Sequence, residues 1–487
     1  MYEPETPHIK VYLASCHHHR PNPSDGRTSD MLETTNKHLS AYSAHHAAGL
    51  YIMNMTTIES IAGIDVYLTK TPGIGGVVRS DASDFRVTEV WAPGKSTDAE
   101  NGKYLIVELT KKNWDTHHLI RDLSRWFRVS RSRFGWAGTK DTRAVTTQRI
   151  GIWDPDRTIE AKIPNFRIPN VELKIIGRSN RKISLGDLCG NRFRITVREI
   201  DETEEEVRDR VNRVTGELSH AGGMANFYGE QRFGTIRPIT HEVGRLIVAG
   251  DFKRAMMTYL AKPYPDDRSY EIRSRLWDTH DFKSALTEFP NHLRYERAML
   301  NYLVKQPDDY IGAFRVLPKN LLKMFTHAYQ SFIFNKILSK RIKEEISLNQ
   351  AIVGDVVCFR GSDGLPDASR TQEVTQTDID GINNLIRKKR AWVTQSLIGH
   401  GYEPGSGIES VVLSDLGIDL YELTRGFEVA EMPELASKGG CRAVVIGVDP
   451  VFDVSADGGG DGVGATAEFF LPKGCYATVL LREYMKD

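Results

Sequence analysis

Apolar and polar residues follow two different periods along this chain, and the change of period divides it into segments. From residue 56 to about 222, short apolar runs predict strands, and Phe85 and Val87 alternate with polar neighbours as in a half-buried strand. Further strands are predicted at 105–109, 148–153, 172–176 and 192–197, and helices at 115–127 and 204–218. This succession predicts an α+β fold rather than repeating βαβ units.

Helical spacing takes over between about residues 223 and 437. Helices are predicted at 244–261, 282–289, 293–305 and 321–345, followed by a strand at 352–359. The last segment returns to strands, which are predicted at 443–448, 465–471 and 475–481. If these strands join the sheet of the first segment, the helix-rich segment is an insertion that divides one domain in two.

The N-terminal 54 residues show no sustained periodicity, which predicts a disordered extension. Their histidines lack cysteines or carboxylates at fixed spacing, so a solvated tail is favoured over a metal site. The five cysteines of the chain are scattered and never form CxxC, which argues against a disulfide framework or a thiolate metal site. No apolar run approaches the roughly 18 residues that cross a bilayer, and no signal-peptide pattern opens the chain. We therefore expect an intracellular protein.

Charge is balanced overall but unevenly distributed. The chain has 64 basic and 64 acidic residues, which at face value argues against an anionic partner such as nucleic acid. However, residues 111–149 contain ten Lys or Arg against three Asp, and residues 167–198 contain eight against two acids. Because the local potential depends on where charges lie, these two stretches could form a phosphate-binding face within a neutral chain.

The densest group of chemically capable residues is AGTKDTRAVTTQ at 137–148. A turn at Gly138 presents Lys140 and Asp141 together, and β-branched residues then lead into a strand. A carboxylate flanked by Lys140 and Arg143 should stay ionised, so Asp141 could act as a nucleophile or a base. On residue types alone, a solvated Lys–Asp pair in a loop is the commoner arrangement.

Other runs allow a functional and a plain structural interpretation. Phe193 in GNRFR could stack on a nucleobase while Arg192 or Arg194 meets phosphate, but residue types alone favour a strand with Phe193 in the core. The run NFYGEQRFG at 226–234 fits a functional turn or core packing equally. The run SDFRV at 83–87 is interpreted as a half-buried strand. The run HAYQSFIFN at 327–335 is interpreted as the core-facing side of a helix.

Taken together, these runs resemble the TruD family of pseudouridine synthases, which modify uridine at position 13 of tRNA. The matching segments are SDFRVTEV (83–90), AGTKDTRAVTTQ (137–148), RKISLGDLCGNRF (181–193), NFYGEQRFG (226–234), HAYQSFIFN (327–335) and LPKGCYATVLLREYMKD (471–487). The resemblance implies a mixed, mainly antiparallel sheet with flanking helices and an inserted helix-rich α+β domain. The implied division is an extension at 1–54, a catalytic domain in two parts at 55–222 and 438–487, and an inserted TRUD domain at 223–437.

The resemblance also implies roles for individual residues. Asp141 occupies the Asp of the family's GxKD motif and is the implied catalytic aspartate. Phe193 stands where other pseudouridine synthases place a Tyr against the target base. Arg79 stands where a Lys is often found, which keeps a cation but changes its geometry. The implied substrate-binding residues are Phe85, Lys140, Asn191, Phe193 and Arg79.

The implied reaction breaks the C1'–N1 bond of uridine and rejoins uracil through C5, and it needs neither a metal nor a cofactor. Two other hypotheses stay open: a non-catalytic RNA-binding protein that kept the fold, and an Asp-dependent glycoside hydrolase. The hydrolase requires a second carboxylate, and none is evident near these motifs. The expected partner is tRNA, and no membrane or obligate protein partner is expected for a cytoplasmic monomer.

Overall fold

A computed structural model describes residues 58–91, 99–402, 407–456 and 462–486, so the predicted extension at 1–54 lies outside the described residues. Most strands belong to one large sheet. The strands are β1 (Val77–Val78), β2 (Phe85–Trp91), β3 (Tyr104–Lys112), β4 (Phe134–Trp136), β5 (Val145–Trp153), β6 (Val171–Ser179), β7 (Leu188–Ile200), β8 (Met224–Ala225), β9 (Val356–Arg360), β10 (Pro366–Glu373), β11 (Ala391–Leu397), β12 (Gly440–Ala443), β13 (Val445–Ile446), β14 (Val451–Ala456) and β15 (Val463–Pro472).

The large sheet has nine strands in the order β14-β15-β7-β2-β5-β3-β6, with β1 paired to β7 and β4 to β5. Its pairings are antiparallel except for β2 with β5, which run parallel. Strands β14 and β15, from the last part of the chain, enter the sheet beside β7. The predicted mixed, mainly antiparallel sheet is therefore confirmed, and residues 223–437 contribute no strand to it.

Helices pack on the sheet and form most of the regular secondary structure of the segment inserted between β7 and β14. They are α1 (Thr116–Phe127), α2 (Glu204–His220), α3 (Thr240–Val248), α4 (Phe252–Ala261), α5 (Tyr270–Thr279), α6 (Phe282–Glu288), α7 (Arg294–Leu303), α8 (Tyr310–Arg315), α9 (Lys319–Lys343), α10 (Ile379–Arg387), α11 (Gly407–Asp415), α12 (Leu420–Gly426) and α13 (Ala477–Met485). Within the described ranges, no helix is both long and apolar enough to cross a membrane.

Two apolar clusters cover one face of the large sheet. One joins the inward residues of β3 and β5 to the buried face of α1, and the other joins β2, β7 and β15 to α2 and α13. Successive residues of a strand point to opposite faces, so the polar residues at the same parity belong to this covered face. They form a buried polar strip, which consists of the buried residues Glu89, Lys111, Thr146 and Gln148 and the partly buried Asn191. The covered face of the sheet is therefore apolar except along the buried polar strip.

The inserted segment has a sheet of its own, whose buried residues join the apolar cluster of the large sheet, and a set of helices with a separate core. Its four strands lie in the order β10-β9-β11-β12, and a separate apolar cluster joins α3 to α9. Buried cations in this segment are neutralised: Arg341 of α9 forms two hydrogen bonds to Asp355, at 2.7 and 2.8 Å. A buried charge is tolerated only when it is paired and hydrogen-bonded, and this pair meets both conditions.

Two predicted elements differ from the structure. The run 475–481, predicted as a strand, begins helix α13, in which Leu480 and Tyr484 are buried one turn apart. This helix is buried on nearly all sides, so its sequence shows no polar face that would reveal the helical period. The helix predicted at 244–261 is two helices, because Gly250 adopts φ +76° and the Asp251 side chain caps α4 by accepting from the Arg254 amide.

Candidate active site

Asp141 lies in the loop between β4 and β5, beside the buried polar strip. Its side chain is 38% exposed, and Arg79 Nη2 donates a hydrogen bond to its Oδ1 at 2.9 Å. This geometry presents a carboxylate that is partly open to a ligand and held by a cation. It fits the predicted role of Asp141, which is neither sealed in the core nor fully in solvent.

Arg79 is fixed at two points. Its guanidinium carbon lies 3.9 Å from the centre of the Phe85 ring, while the same group binds Asp141. The backbone of Arg79 has φ +65°, in the left-handed region that costs a residue with a Cβ free energy. A planar guanidinium can stack on an aromatic ring and donate to a carboxylate together, which a Lys could not do in the same way. Arg79 and Phe85 therefore orient the Asp141 carboxylate.

The cation next to Asp141 in sequence is not the cation next to it in space. Lys140 points into the buried polar strip, where its Nζ lies 2.9 Å from Glu89 Oε2, and both side chains are at most 5% exposed. Arg143 is exposed and donates to the Ser80 carbonyl at 3.5 Å. Contact between Lys140 and substrate stays a prediction.

The Lys140–Glu89 pair gives a stability prediction. Glu89→Gln should leave the Lys140 ammonium buried without a counter-charge, at a cost of about 3–5 kcal/mol in unfolding free energy. Chemical denaturation measures this cost. The double variant Glu89→Gln/Lys140→Met removes both charges and should recover most of the loss; an unchanged stability of the single variant would contradict the pairing.

Asn191 and Phe193 lie on β7 and face the same way. Asn191 is the cross-strand partner of Glu89, and its Oδ1 is buried with no hydrogen-bond partner among the described residues. Phe193 is 7% exposed, stacks on Phe469 at 5.3 Å and meets the edge of Phe85 at 6.3 Å. Phe193 thus packs in the core, with little of its ring open to a base. Its role as a wall of the substrate pocket stays a prediction.

The sequence did not reveal Lys111, which supports the backbone of the loop that carries Asp141. The side chain is fully buried, and its Nζ donates to the carbonyls of Trp114 at 2.7 Å and Asp141 at 2.8 Å. Burial lowers the pKa of Lys111 to about 8, although Asp141 and Asp115 attract its charge. One signal was available, because Lys111 continues the inward parity of Leu109 on β3.

A second carboxyl group near this site was also missed. Burial raises the pKa of Glu230, repulsion from Glu59 raises it further, and the charge of Arg79 opposes both effects. Glu230 comes from the run 226–234, which the sequence interpreted as a shaped turn or core packing, and it lies in a short 3₁₀ turn. Arg79 is therefore hydrogen-bonded to Asp141, and its charge also partly offsets the raised pKa of Glu230.

The mixed sheet and the inserted segment agree with the fold that the sequence resemblance implies. A family model described as tRNA pseudouridine synthase D (TruD) matches residues 61–484. A Methanococcoides burtonii protein named "Probable tRNA pseudouridine synthase D" is 48% identical over 436 residues, which cover 89% of this chain and 98% of that protein. A Halobacterium salinarum protein of the same name is 38% identical over 448 residues, with 88% and 97% covered.

A solved structure extends the comparison to three dimensions. The crystal structure named for tRNA pseudouridine synthase D of Methanosarcina mazei superimposes with a TM-score of 0.77 at 46% identity, and the match covers 88% of this chain and 98% of that one. The chain belongs to the TruD family.

Proposed function

We propose that this protein isomerises uridine to pseudouridine at position 13 of tRNA, with Asp141 as the catalytic residue. The proposal rests on one observation within a chain of the TruD family: Arg79, stacked on Phe85, donates to the Asp141 carboxylate at the edge of a buried polar strip. We keep the division into 1–54, 55–222, 223–437 and 438–487, together with a cytoplasmic monomer, as predictions of the same proposal.

The chemistry needs an ionised carboxylate. When the C1'–N1 bond breaks, its electron pair leaves with uracil, and positive charge develops on the sugar. The Asp141 carboxylate either bonds to C1' or removes a proton from C2', and both routes begin from the anion. Uracil then turns and C5 bonds to C1': in the first route the bond between Asp141 and C1' breaks in this step, and in the second route Asp141 returns the proton to C2'. The C5 proton is then lost and N1 gains a proton. Arg79 fixes the carboxylate, so little reorganisation is required at the moment of reaction.

The uracil anion must stay in the site while it turns. A uridine stacked in folded RNA cannot offer C1' and C5 to one carboxylate, so the nucleotide has to be extruded. We assign the apolar wall of the pocket to Phe85 and Phe193, whose rings meet at 6.3 Å and are 3% and 7% exposed, so the bound nucleotide has to displace their neighbours to reach them. Asn191 supplies a buried oxygen with no hydrogen-bond partner among the described residues. We assign Asn191 to a polar edge of the uracil ring. Exposed cations of the basic stretches, such as Arg131 and Arg143, would hold phosphates nearby.

The test uses a tRNA transcript with uridine at position 13 and a matched transcript with cytidine there. The purified protein should form pseudouridine at position 13 of the first and at no other site of either transcript. Binding without pseudouridine would favour the non-catalytic alternative. Free uracil and an abasic sugar would favour a hydrolase, which requires a second carboxyl group beside Asp141.

A further inference from the structure

A turn between α10 and β11 carries four consecutive cations, Arg387 to Arg390, and all four are exposed. The backbone holds the turn in place: the Lys389 amide donates to the Ile386 carbonyl at 2.9 Å, and Lys389 has φ +54°. Arg360 of β9 lies alongside, because its amide donates to the Arg390 carbonyl at 3.0 Å. Five cations are thus fixed on one small surface, which we call the basic turn.

The basic turn borders a cavity of about 610 Å³ between the smaller sheet and the edge of the larger one. Four of the five cations line it, together with the partly buried rings of Trp392 and Phe470. Asp449 is the one acid among the lining residues. A volume of this size falls within the roughly 300–1,000 Å³ of small-ligand sites. The cavity therefore combines flat aromatic surface with a strong positive charge.

The charge of the basic turn is only weakly balanced, because Asp449 is the one acid among the residues that line its cavity. No ion pair within the part of the chain that the structure describes includes any of its five cations, whereas the nearby Arg341 is clamped by Asp355 at 2.7 Å. One or two cations at a helix C-terminus stabilise the helix dipole by about 0.3–1 kcal/mol each. Four adjacent like charges exceed that need and repel one another, so the arrangement calls for an anionic partner.

We propose that the basic turn and its cavity bind the phosphate backbone of the RNA substrate, as a contact on the inserted segment in addition to the site at Asp141. The inference rests on the proposed function, which supplies the anionic partner. RNA fits both properties of the surface: its phosphates match the spaced, unpaired cations, and an unstacked base matches the rings of Trp392 and Phe470.

The test removes three charges and compares a matched control. The test variant is Arg387→Gln/Lys388→Gln/Lys389→Gln, and the control is Lys305→Gln/Lys319→Gln/Lys323→Gln, which removes three exposed charges elsewhere in the inserted segment. Affinity for unmodified tRNA is measured from low to high salt, and the isomerisation rate is measured in single turnovers at saturating tRNA. We expect the test variant to bind at least about tenfold more weakly, with a salt slope smaller by about 2–3.

The loss should fall mainly on tRNA affinity, and the saturated single-turnover rate should change by a smaller factor than the affinity does. Arg360→Gln gives an independent check, with a slope smaller by about 1. A helix-end role alone would lower the melting temperature and leave the slope unchanged. Wild-type affinity and slope in the test variant would overturn the inference, as would a larger loss of binding to polyglutamate than to tRNA. Failure of the proposed function has a different signature: the wild-type protein itself would form no pseudouridine.

Discussion

Asp141→Asn is expected to abolish pseudouridine formation while tRNA binding stays within about twofold of wild type. The amide has nearly the same shape as the carboxylate, but it can neither capture the developing charge at C1' nor accept a proton from C2'. Loss of a residue that takes part in bond breaking lowers the rate by roughly 10³-fold or more. The measurement is tritium release from tRNA labelled at C5 of uridine, followed by mapping of the product.

A matched control for this variant is Asp156→Asn, which makes the same change at an exposed position outside the site. It should keep wild-type activity. Asp141→Ala should be as inactive as Asp141→Asn, because both lack the anion. If Asp141→Asn yielded a normal amount of pseudouridine with no contaminating wild-type protein, Asp141 could not be the catalytic residue, and Glu230 would be the next carboxyl group to replace.

The sheet could be predicted from local pattern because its strands are half-buried. Phe85 and Val87 on β2 alternate with exposed Arg86 and Thr88, and that period is written in the sequence. Helix α1 could be predicted for the same reason. Helix α13 and the strand β11 are buried more evenly, so the sequence offers no contrast between faces. Pairing of β15 with β7 joins residues that are hundreds apart, and only the resemblance to a family indicated it.

The candidate site was harder to predict from local sequence pattern than the sheet was. Residue types and a turn made Asp141 one candidate among several, because a solvated Lys–Asp pair in a loop is the commoner arrangement, and it was the resemblance to a family that selected it. Its actual cation, Arg79, is 62 residues away, and no local rule connects the two. Lys140 was expected beside Asp141 because the two are adjacent in sequence, yet adjacent residues in an extended segment point to opposite sides. Lys140 pairs with Glu89 instead.

Lys111→Met is expected to lower the isomerisation rate by roughly 10²-fold with little change in tRNA affinity. Methionine fills a similar volume but donates no hydrogen bond, so the carbonyls of Trp114 and Asp141 lose their partner. Each unsatisfied buried carbonyl costs about 1–3 kcal/mol, and the loop can escape this cost only by moving. A shift of about 1 Å in a catalytic group is enough to produce the expected loss of rate. Single-turnover rates at saturating tRNA measure it.

Lys112→Met is the control. Lys112 is the next residue along β3, and it pairs with Asp81 at 3.2 Å on the exposed side, so its replacement should leave the isomerisation rate unchanged. A pH series adds a readout specific to Lys111. Its pKa is lowered to about 8 in the folded protein from 10.5, so between these values the unfolded chain binds more protons. The contribution of Lys111 to unfolding free energy must then rise with pH across this window and be smallest below it. The stability of wild type relative to Lys111→Met should therefore grow from about pH 8 to about pH 10.5, and a difference that shrinks over this range would show that the ammonium is not desolvated by burial.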